Sequence, residues 1–347
     1  MSGGVLAIRL RALGDVVLTT PALRALKRGH PQHRLEVLTD VRYVDLVAGV
    51  SEVDRVWGLG RSHGETLAII ARLRRQRYVL AVDFFGNPRS ALVTRWCGAR
   101  RRAGYDLRGR RHAYHLRVPR DAPGPQGRRE HASAAHLRLA AAAGGIPDGE
   151  PPRLSVGEPA HREADAVLRM IGLEEAGDVI GLVAAGTWPT KTWPAAHAGA
   201  LARHLQARGY RMLLIGGPGE EAVTEVVTRL APGVAVLPRC GVAALAAVIA
   251  RLRAVVGTDS GPRHLAAALG VPTFAWFGPT HPDTWQPPGA QHGFWQTPLP
   301  CRGCDRTSCP HWNCLPGLDP AEAALRVIDH VEGLVGRPAA LGSAAGA

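Results

Sequence analysis

Four stretches of the chain bring together residue types that can do chemistry. The first is Ile8-Arg9-Leu10-Arg11-Ala12-Leu13-Gly14-Asp15. An apolar run ends in a basic loop, and a Gly-Asp pair opens a helical pattern. A carboxylate at that point either caps the helix or acts as a general base toward a hydroxyl. Locally, capping is the commoner role. The second stretch, Gly186-Thr187-Trp188-Pro189-Thr190-Lys191-Thr192-Trp193-Pro194, sets hydroxyls and an ammonium just before a helix. Such a loop can hold phosphate oxygens. The third, Thr258-Asp259-Ser260-Gly261-Pro262-Arg263-His264, again joins a strand pattern to a helix, whose first free amides make an anion site. Asp259 or Ser260 can equally cap that helix, and His264 can simply pack within it.

The fourth stretch, Gly216-Gly217-Pro218-Gly219-Glu220-Glu221-Ala222, formally matches the G-x-G-x-x-A fingerprint of dinucleotide binding. That fingerprint needs an acid at the end of the following strand to hold a ribose. Here the strand reads Ala235-Val236-Leu237-Pro238 and offers none. A nicotinamide-dependent oxidoreductase is therefore the weakest reading, and Glu220 within the loop is the remaining candidate for a ribose.

These loops can act together only if the intervening elements set them side by side. Short apolar runs alternate with helical patterns of 10–15 residues throughout the chain, which indicates βαβ units and parallel sheets. The expected architecture is α/β, with two doubly wound Rossmann-like halves facing a central cleft at the carboxyl ends of their strands. We expect an N-terminal domain over 1–157, a linker over 158–177 and a C-terminal domain over 178–318. A final helix over 319–336 and a flexible tail over 337–347 complete the chain. Residues 100–129 are Arg/Gly/Pro-rich and read as loops around short strands. Residues 280–317 read as a Cys/Trp/Pro-rich loop.

With 347 residues and 46% hydrophobic content, the chain can build real cores and is neither disordered nor stapled by disulfides. It shows no apolar run of membrane-spanning length, and its first ten residues lack a signal-peptide pattern, so a cytoplasmic protein is expected. Lys+Arg outnumber Asp+Glu by 42 to 29. Nucleic acid is not the expected partner, because no recognition motif or basic tail accompanies the charge. Anionic membranes, acidic substrates and GC-rich coding remain as explanations. The excess is nearly all arginine. Only Lys27 and Lys191 are lysines, which draws attention to the ammonium in the second stretch. Four of the six cysteines crowd one loop, at Cys301, Cys304, Cys309 and Cys314. They read either as free thiols or as ligands of a structural zinc or iron.

Taken in order, these stretches resemble glycosyltransferase family 9, the ADP-heptose:lipopolysaccharide heptosyltransferases. The residues that carry the resemblance are Gly14-Asp15 through Pro21, Lys191-Thr-Trp193-Pro, Gly216-Gly-Pro-Gly-Glu220, Asp259-Ser-Gly-Pro-Arg-His264 and Phe277-Gly-Pro-Thr280. The resemblance implies a GT-B fold and an inverting, metal-independent transfer of heptose from ADP-heptose to a phosphorylated glycolipid acceptor. It implies no cofactor for catalysis and work at the anionic face of the inner membrane. Asp15 would be the catalytic base. Thr187, with Thr190 as the alternative hydroxyl, and Lys191 would hold the donor diphosphate. Glu220 would hold the ribose, and Asp259, Ser260, Gly261 and His264 the donor sugar and phosphate. Arg9, Arg11, Gly14, Arg101 and Arg102 would lie on the acceptor side. Some relatives are similar in carrying an iron-bound cysteine cluster. Arg263 departs from the family, which often has methionine there. Two further readings remain: the same donor with a protein, secondary-metabolite or other glycan acceptor, and a nucleotide-binding protein without turnover.

Overall fold

In the computed structural model, residues 3–335 are described; the expected tail over 337–347 lies outside them. The first half runs β1 Val5–Ile8, α1 Leu13–Leu18, α2 Thr20–Gly29, β2 Leu35–Asp40, α3 Val44–Ala48, β3 Arg55–Leu59, α4 His63–Arg74, β4 Leu80–Asp83, α5 Pro88–Trp96, β5 Arg101–Tyr105, β6 Leu116–Val118 and α6 Ala132–Ala142. The second half runs α7 Glu158–Met170, β7 Val179–Val183, α8 Ala195–Gln206, β8 Arg211–Leu214, α9 Glu221–Leu230, β9 Ala235–Val236, α10 Val242–Ile249, β10 Ala254–Thr258, α11 Gly261–Ala268, β11 Thr273–Phe277, α12 Pro282–Trp285, β12 His292–Gln296 and α13 Pro320–Val335.

Each half builds one six-stranded sheet. The strand orders are β3-β2-β1-β4-β5-β6 and β12-β11-β10-β7-β8-β9, and every recorded pairing within them is parallel. Helices cover both faces, so the central strands are buried on both sides. That is why β1 and β7 read as unbroken apolar runs rather than alternating ones. The two orders are the same order met from opposite ends. In each, the strand sequence reverses beside the first strand, and a crevice opens there at the carboxyl ends.

Local signals set the helix starts. The Ser62 side chain accepts from the amide of Glu65 while the Glu65 carboxylate accepts from that of Ser62, a reciprocal cap for α4. Asn87 caps α5 in the same manner ahead of Pro88. Gly257 has φ of 143°, and a Cβ there would lie 2.0 Å from the Val183 carbonyl oxygen. Only glycine lets β10 and β7 run this close, and the third chemical stretch begins just beyond it.

Two elements differ from the sequence reading. The first helical pattern is split at Thr19 into α1 and α2. The helical pattern within the expected linker, 158–177, is α7, whose Ala164, Val167 and Leu168 pack in the core of the second half. The loop 280–317 hides α12 and the edge strand β12, a short aromatic segment paired with β11 from one side only. Among the described residues, no helix is long and apolar enough to cross a membrane.

Candidate functional site

The two crevices face each other, and α1 packs against α11 across the gap. Gly14 makes that approach possible: a Cβ on it would stand 2.9 Å from Cδ2 of His264. Asp15 lies in the first turn of α1, one residue beyond Gly14. Its Oδ2 accepts from the Ala12 amide at 3.3 Å and pairs with Nη2 of Arg9 at 2.8 Å. Asp15 thus serves the helix end while its side chain stays about one-quarter exposed, at 26%. Arg9 is buried. Its Nη1 donates to the Phe84 carbonyl at 2.6 Å, and its guanidinium lies over the Phe85 ring. Burial lowers the Arg9 pKa, and the Asp15 charge works against that loss. The expectation that Arg9 meets an acceptor is therefore corrected: it holds Asp15 from behind.

On the opposite wall, the loops after β7, β8 and β10 line a cleft of about 530 Å³. Gly14, Asp15, Thr187, Lys191, Glu220, Ser260, Gly261 and His264 all border it, as do Trp188 and Trp285. Thr190 does not; its hydroxyl donates to the Arg306 carbonyl inside the fold, which leaves Thr187 as the threonine of this pair at the cleft. The Glu220 carboxylate accepts from the Gly217 amide at 2.7 Å and so shapes its own glycine loop. Ser260 is the residue before α11, and its side chain makes no cap hydrogen bond, so the first amides of that helix remain available.

Asp259 sits behind this wall, 2% exposed, and is absent from the cleft lining. Its Oδ2 accepts from Lys191 Nζ at 3.2 Å and from the Thr280 hydroxyl at 2.9 Å. Its Oδ1 stands 3.4 Å from His264 Nε2 and 3.6 Å from Arg263 Nη1. Burial alone pushes the Asp259 carboxyl up, yet Lys191, His264 and Arg263 outweigh it and hold the group well below the usual carboxylate range. Arg263 is buried too, and desolvation lowers its pKa to about 10 despite that carboxylate. Asp259 Oδ1, Ser260 Oγ, His264 Nδ1 and Trp188 Nε1 are buried with no hydrogen-bond partner. Unused polar capacity is costly in a protein interior. Ser260, His264 and Trp188 border the cleft, and three such atoms there mark a place built for a polar ligand.

A second cavity of about 710 Å³ adjoins the first and shares Asp15 and Trp285 with it. Tyr105, Arg120, Arg128, Arg129 and His136 line it, and none of these five stands out in the sequence. Arg11 borders a third cavity, of about 310 Å³, with Arg42, Arg61 and Arg89. Arg101 and Arg102 reach none of the three. They begin β5, opposite Leu80 and Ala81, at the amino edge of the sheet and away from the cleft. Arg102 donates there to the Ala113 carbonyl. Their assignment to the acceptor side is corrected, because a parallel strand sends its first residues to the far edge.

For the cysteine loop, the structure shows the first of the two readings. Cys301 and Cys304 are exposed, Cys309 and Cys314 are half-buried, and all are free thiols. Among the described residues, no three His, Cys, Asp or Glu side chains are gathered as a metal site. The Cys314 thiol packs inward close to Gly278 instead.

Three histidines give the fold an acid limit: burial holds His136 well below its ordinary value, and His131 and His292 are shifted the same way. Burial lowers His131 and His292 to about 4 from the ordinary 6.5. The unfolded chain therefore binds protons on both between about pH 6.5 and 4 while the folded chain does not. Each contribution is complete above pH 6.5 and is lost as pH falls toward 4. At ~pH 5 the expected loss is about 2 kcal/mol per histidine. Urea unfolding at neutral and acid pH reads it, and His131→Gln should flatten the dependence. A dependence as steep in that variant as in the parent excludes His131 as a source.

Comparison with known proteins agrees with this geometry. A family model described as glycosyltransferase family 9 (heptosyltransferase) matches residues 66–314. Lipopolysaccharide heptosyltransferase 1 of Pseudomonas aeruginosa is 32% identical, over 88% of this chain and 87% of its own. The structure of Escherichia coli ADP-heptose lipopolysaccharide heptosyltransferase II superposes with a TM-score of 0.79 at 22% identity, covering 96% of this chain and 99% of that one. The Escherichia coli heptosyltransferase WaaC with ADP-2-deoxy-2-fluoro heptose gives 0.69 at 23% identity, over 93% and 98%. The shared fold is GT-B.

Proposed function

Because the chain belongs to glycosyltransferase family 9, the heptosyltransferases, we propose that it moves a heptose from ADP-heptose to a sugar hydroxyl of the lipopolysaccharide inner core. One observation carries the reading: Asp15 borders both large cavities and is held from behind by Arg9. A base there reaches a donor in one cavity and an acceptor in the other.

The donor occupies the cleft of the second half. Its diphosphate meets Lys191, Thr187 and the first amides of α11, and its ribose meets Glu220. The heptose points toward Asp15 and His264. Asp259 works through Lys191 and His264, whose positions it sets. The acceptor enters the cavity lined by Tyr105, Arg120 and His136, where arginines suit phosphate or carboxylate groups. Its hydroxyl attacks the anomeric carbon from the face opposite ADP, so configuration inverts. Both contacts of Asp15 fall on Oδ2, which leaves Oδ1 to take the hydroxyl proton. The anomeric C–O bond breaks, and ADP leaves with the electron pair. Its growing charge is met by the Lys191 ammonium and the amides of α11, groups already oriented before the reaction. These residues supply the positive charge without a divalent cation. The enzyme works at the cytoplasmic face of the inner membrane, where a lipid-borne acceptor is presented.

The test is incubation with ADP-heptose and a lipid acceptor that ends before the first inner-core heptose, in the presence of a chelator. One heptose should be added per ADP released. Absence of any transfer overturns the activity. Transfer only to a protein or another glycan overturns the acceptor, and loss under the chelator overturns the cation-free chemistry.

A further inference from the structure

Between residues 61 and 118 the sequence carries fourteen arginines against three acids. Eleven of the thirteen net positive charges therefore sit in one-sixth of the chain. The cavities use only a few of these arginines. Of the rest, Arg72, Arg74, Arg75, Arg95 and Arg111 lie on or at the ends of one layer of the first half, formed by α4, α5 and the short turn Arg111–Ala113 packed beside α5. The inner faces of α4 and α5 bury Ile69, Ile70, Leu73 and Val93 against the sheet. Their outer faces should then be polar, and they are not. Leu67 is 67% exposed, Leu92 44% and Trp96 47%. Arg72, Arg75, Arg95 and Arg100 flank them, also exposed.

Local roles account for part of this charge. Arg72 and Arg74 end α4, and Arg95 ends α5, where a cation suits the helix dipole. That does not explain exposed leucines and a tryptophan between them. Nor are the charges neutralised. Of the three acids, Asp83 is buried, Glu65 is tied to Ser62, and Asp106 pairs with Arg111. The helix contacts between the halves are made by α1 and α3, on the other face of the sheet, and Arg129 reaches Gly303 and Asp305 from a loop, so the outer face of this layer stays exposed.

We propose that the outer face of α4 and α5 docks on an anionic lipid bilayer. Leu67, Leu92 and Trp96 enter the interface, and the surrounding arginines meet lipid phosphates. Nucleic acid would use the same arginines but has no call for exposed leucines. The proposal deepens the function above, because a lipid-borne acceptor is met at a membrane. The amino ends of α4 and α5, capped by Ser62 and Asn87, border the cavity of Arg11, Arg61 and Arg89 at the cleft edge. A bilayer against this face brings lipid headgroups to that edge.

The full chain is sedimented with vesicles of equal parts phosphatidylglycerol and phosphatidylethanolamine, and with phosphatidylcholine vesicles. Binding is expected on the first only, and should weaken with salt. Arg75→Gln and Arg95→Gln should each lower partition by about fivefold. The triple variant Leu67→Ala, Leu92→Ala, Trp96→Ala should lower it by more than either, with ADP binding and melting temperature kept as the check on folding. Equal binding to both vesicles, parental binding by the triple variant, or displacement from vesicles by duplex DNA in stoichiometric amount would each overturn the proposal. Lost vesicle binding in these variants with intact transfer to a water-soluble acceptor separates docking from catalysis and supports the face as the membrane site. Absent transfer with intact vesicle binding refutes the activity alone.

Discussion

Asp15→Asn is expected to lower turnover of heptose transfer by about 10²–10⁴-fold, with little change in affinity for ADP-heptose. The amide keeps the size of the carboxylate and can still accept from the Ala12 amide through its oxygen. It cannot take a proton from the attacking hydroxyl. Binding of the donor rests on the opposite wall, on Lys191, Thr187 and the start of α11, and none of these touches Asp15. Arg9→Met should lower turnover less, because it removes the group that orients Asp15 and not the base itself. Arg9 is buried and donates to Phe84, so its loss also costs stability. Single-turnover kinetics with calorimetric binding of ADP separate these effects. Turnover within tenfold of the parent in Asp15→Asn would remove Asp15 as the base.

Asp259→Ala is expected to destabilise the fold by about 3–5 kcal/mol, the usual result of breaking a buried ion pair from one side. Arg263 is 1% exposed and Lys191 8%. Without Asp259, both cations remain buried and unpaired. The same substitution should weaken ADP binding, because Lys191 loses the oxygen that positions it. A double-mutant cycle with Lys191→Met and Asp259→Asn distinguishes partnership from independent roles. Coupling near zero, or an unfolding midpoint equal to the parent's in Asp259→Ala, would show that the cluster is not held together through this carboxylate.

Much of this site was legible in the residues, for a definite reason. A parallel α/β sheet delivers every strand-to-helix loop to one edge, so the order of loops along the chain already implies that they converge. Asp15, Thr187, Lys191, Glu220, Ser260, Gly261 and His264 were all legible in such loops, and all border one cleft. Arg9, Arg101 and Arg102 were misread because charge says nothing about direction. Arg9 precedes the loop and turns back under Asp15. Arg101 and Arg102 open a strand and stand at its far edge. The cysteine spacing allowed a metal site, but among the described residues no three such side chains are gathered to hold one.

By itself, then, the sequence determined the class of fold, the family and the loops that do the chemistry, since these depend on local pattern and chain order. Only the tertiary structure decided which partner each charged group takes. It put Asp259 behind the wall rather than on it, chose Thr187 over Thr190, and opened a cavity around Tyr105, Arg120 and His136. It also left Leu67, Leu92 and Trp96 facing outward among arginines. The sequence does not say which apolar residues of α4 and α5 are covered, and only the packing of these helices on the sheet shows that Leu67, Leu92 and Trp96 are not.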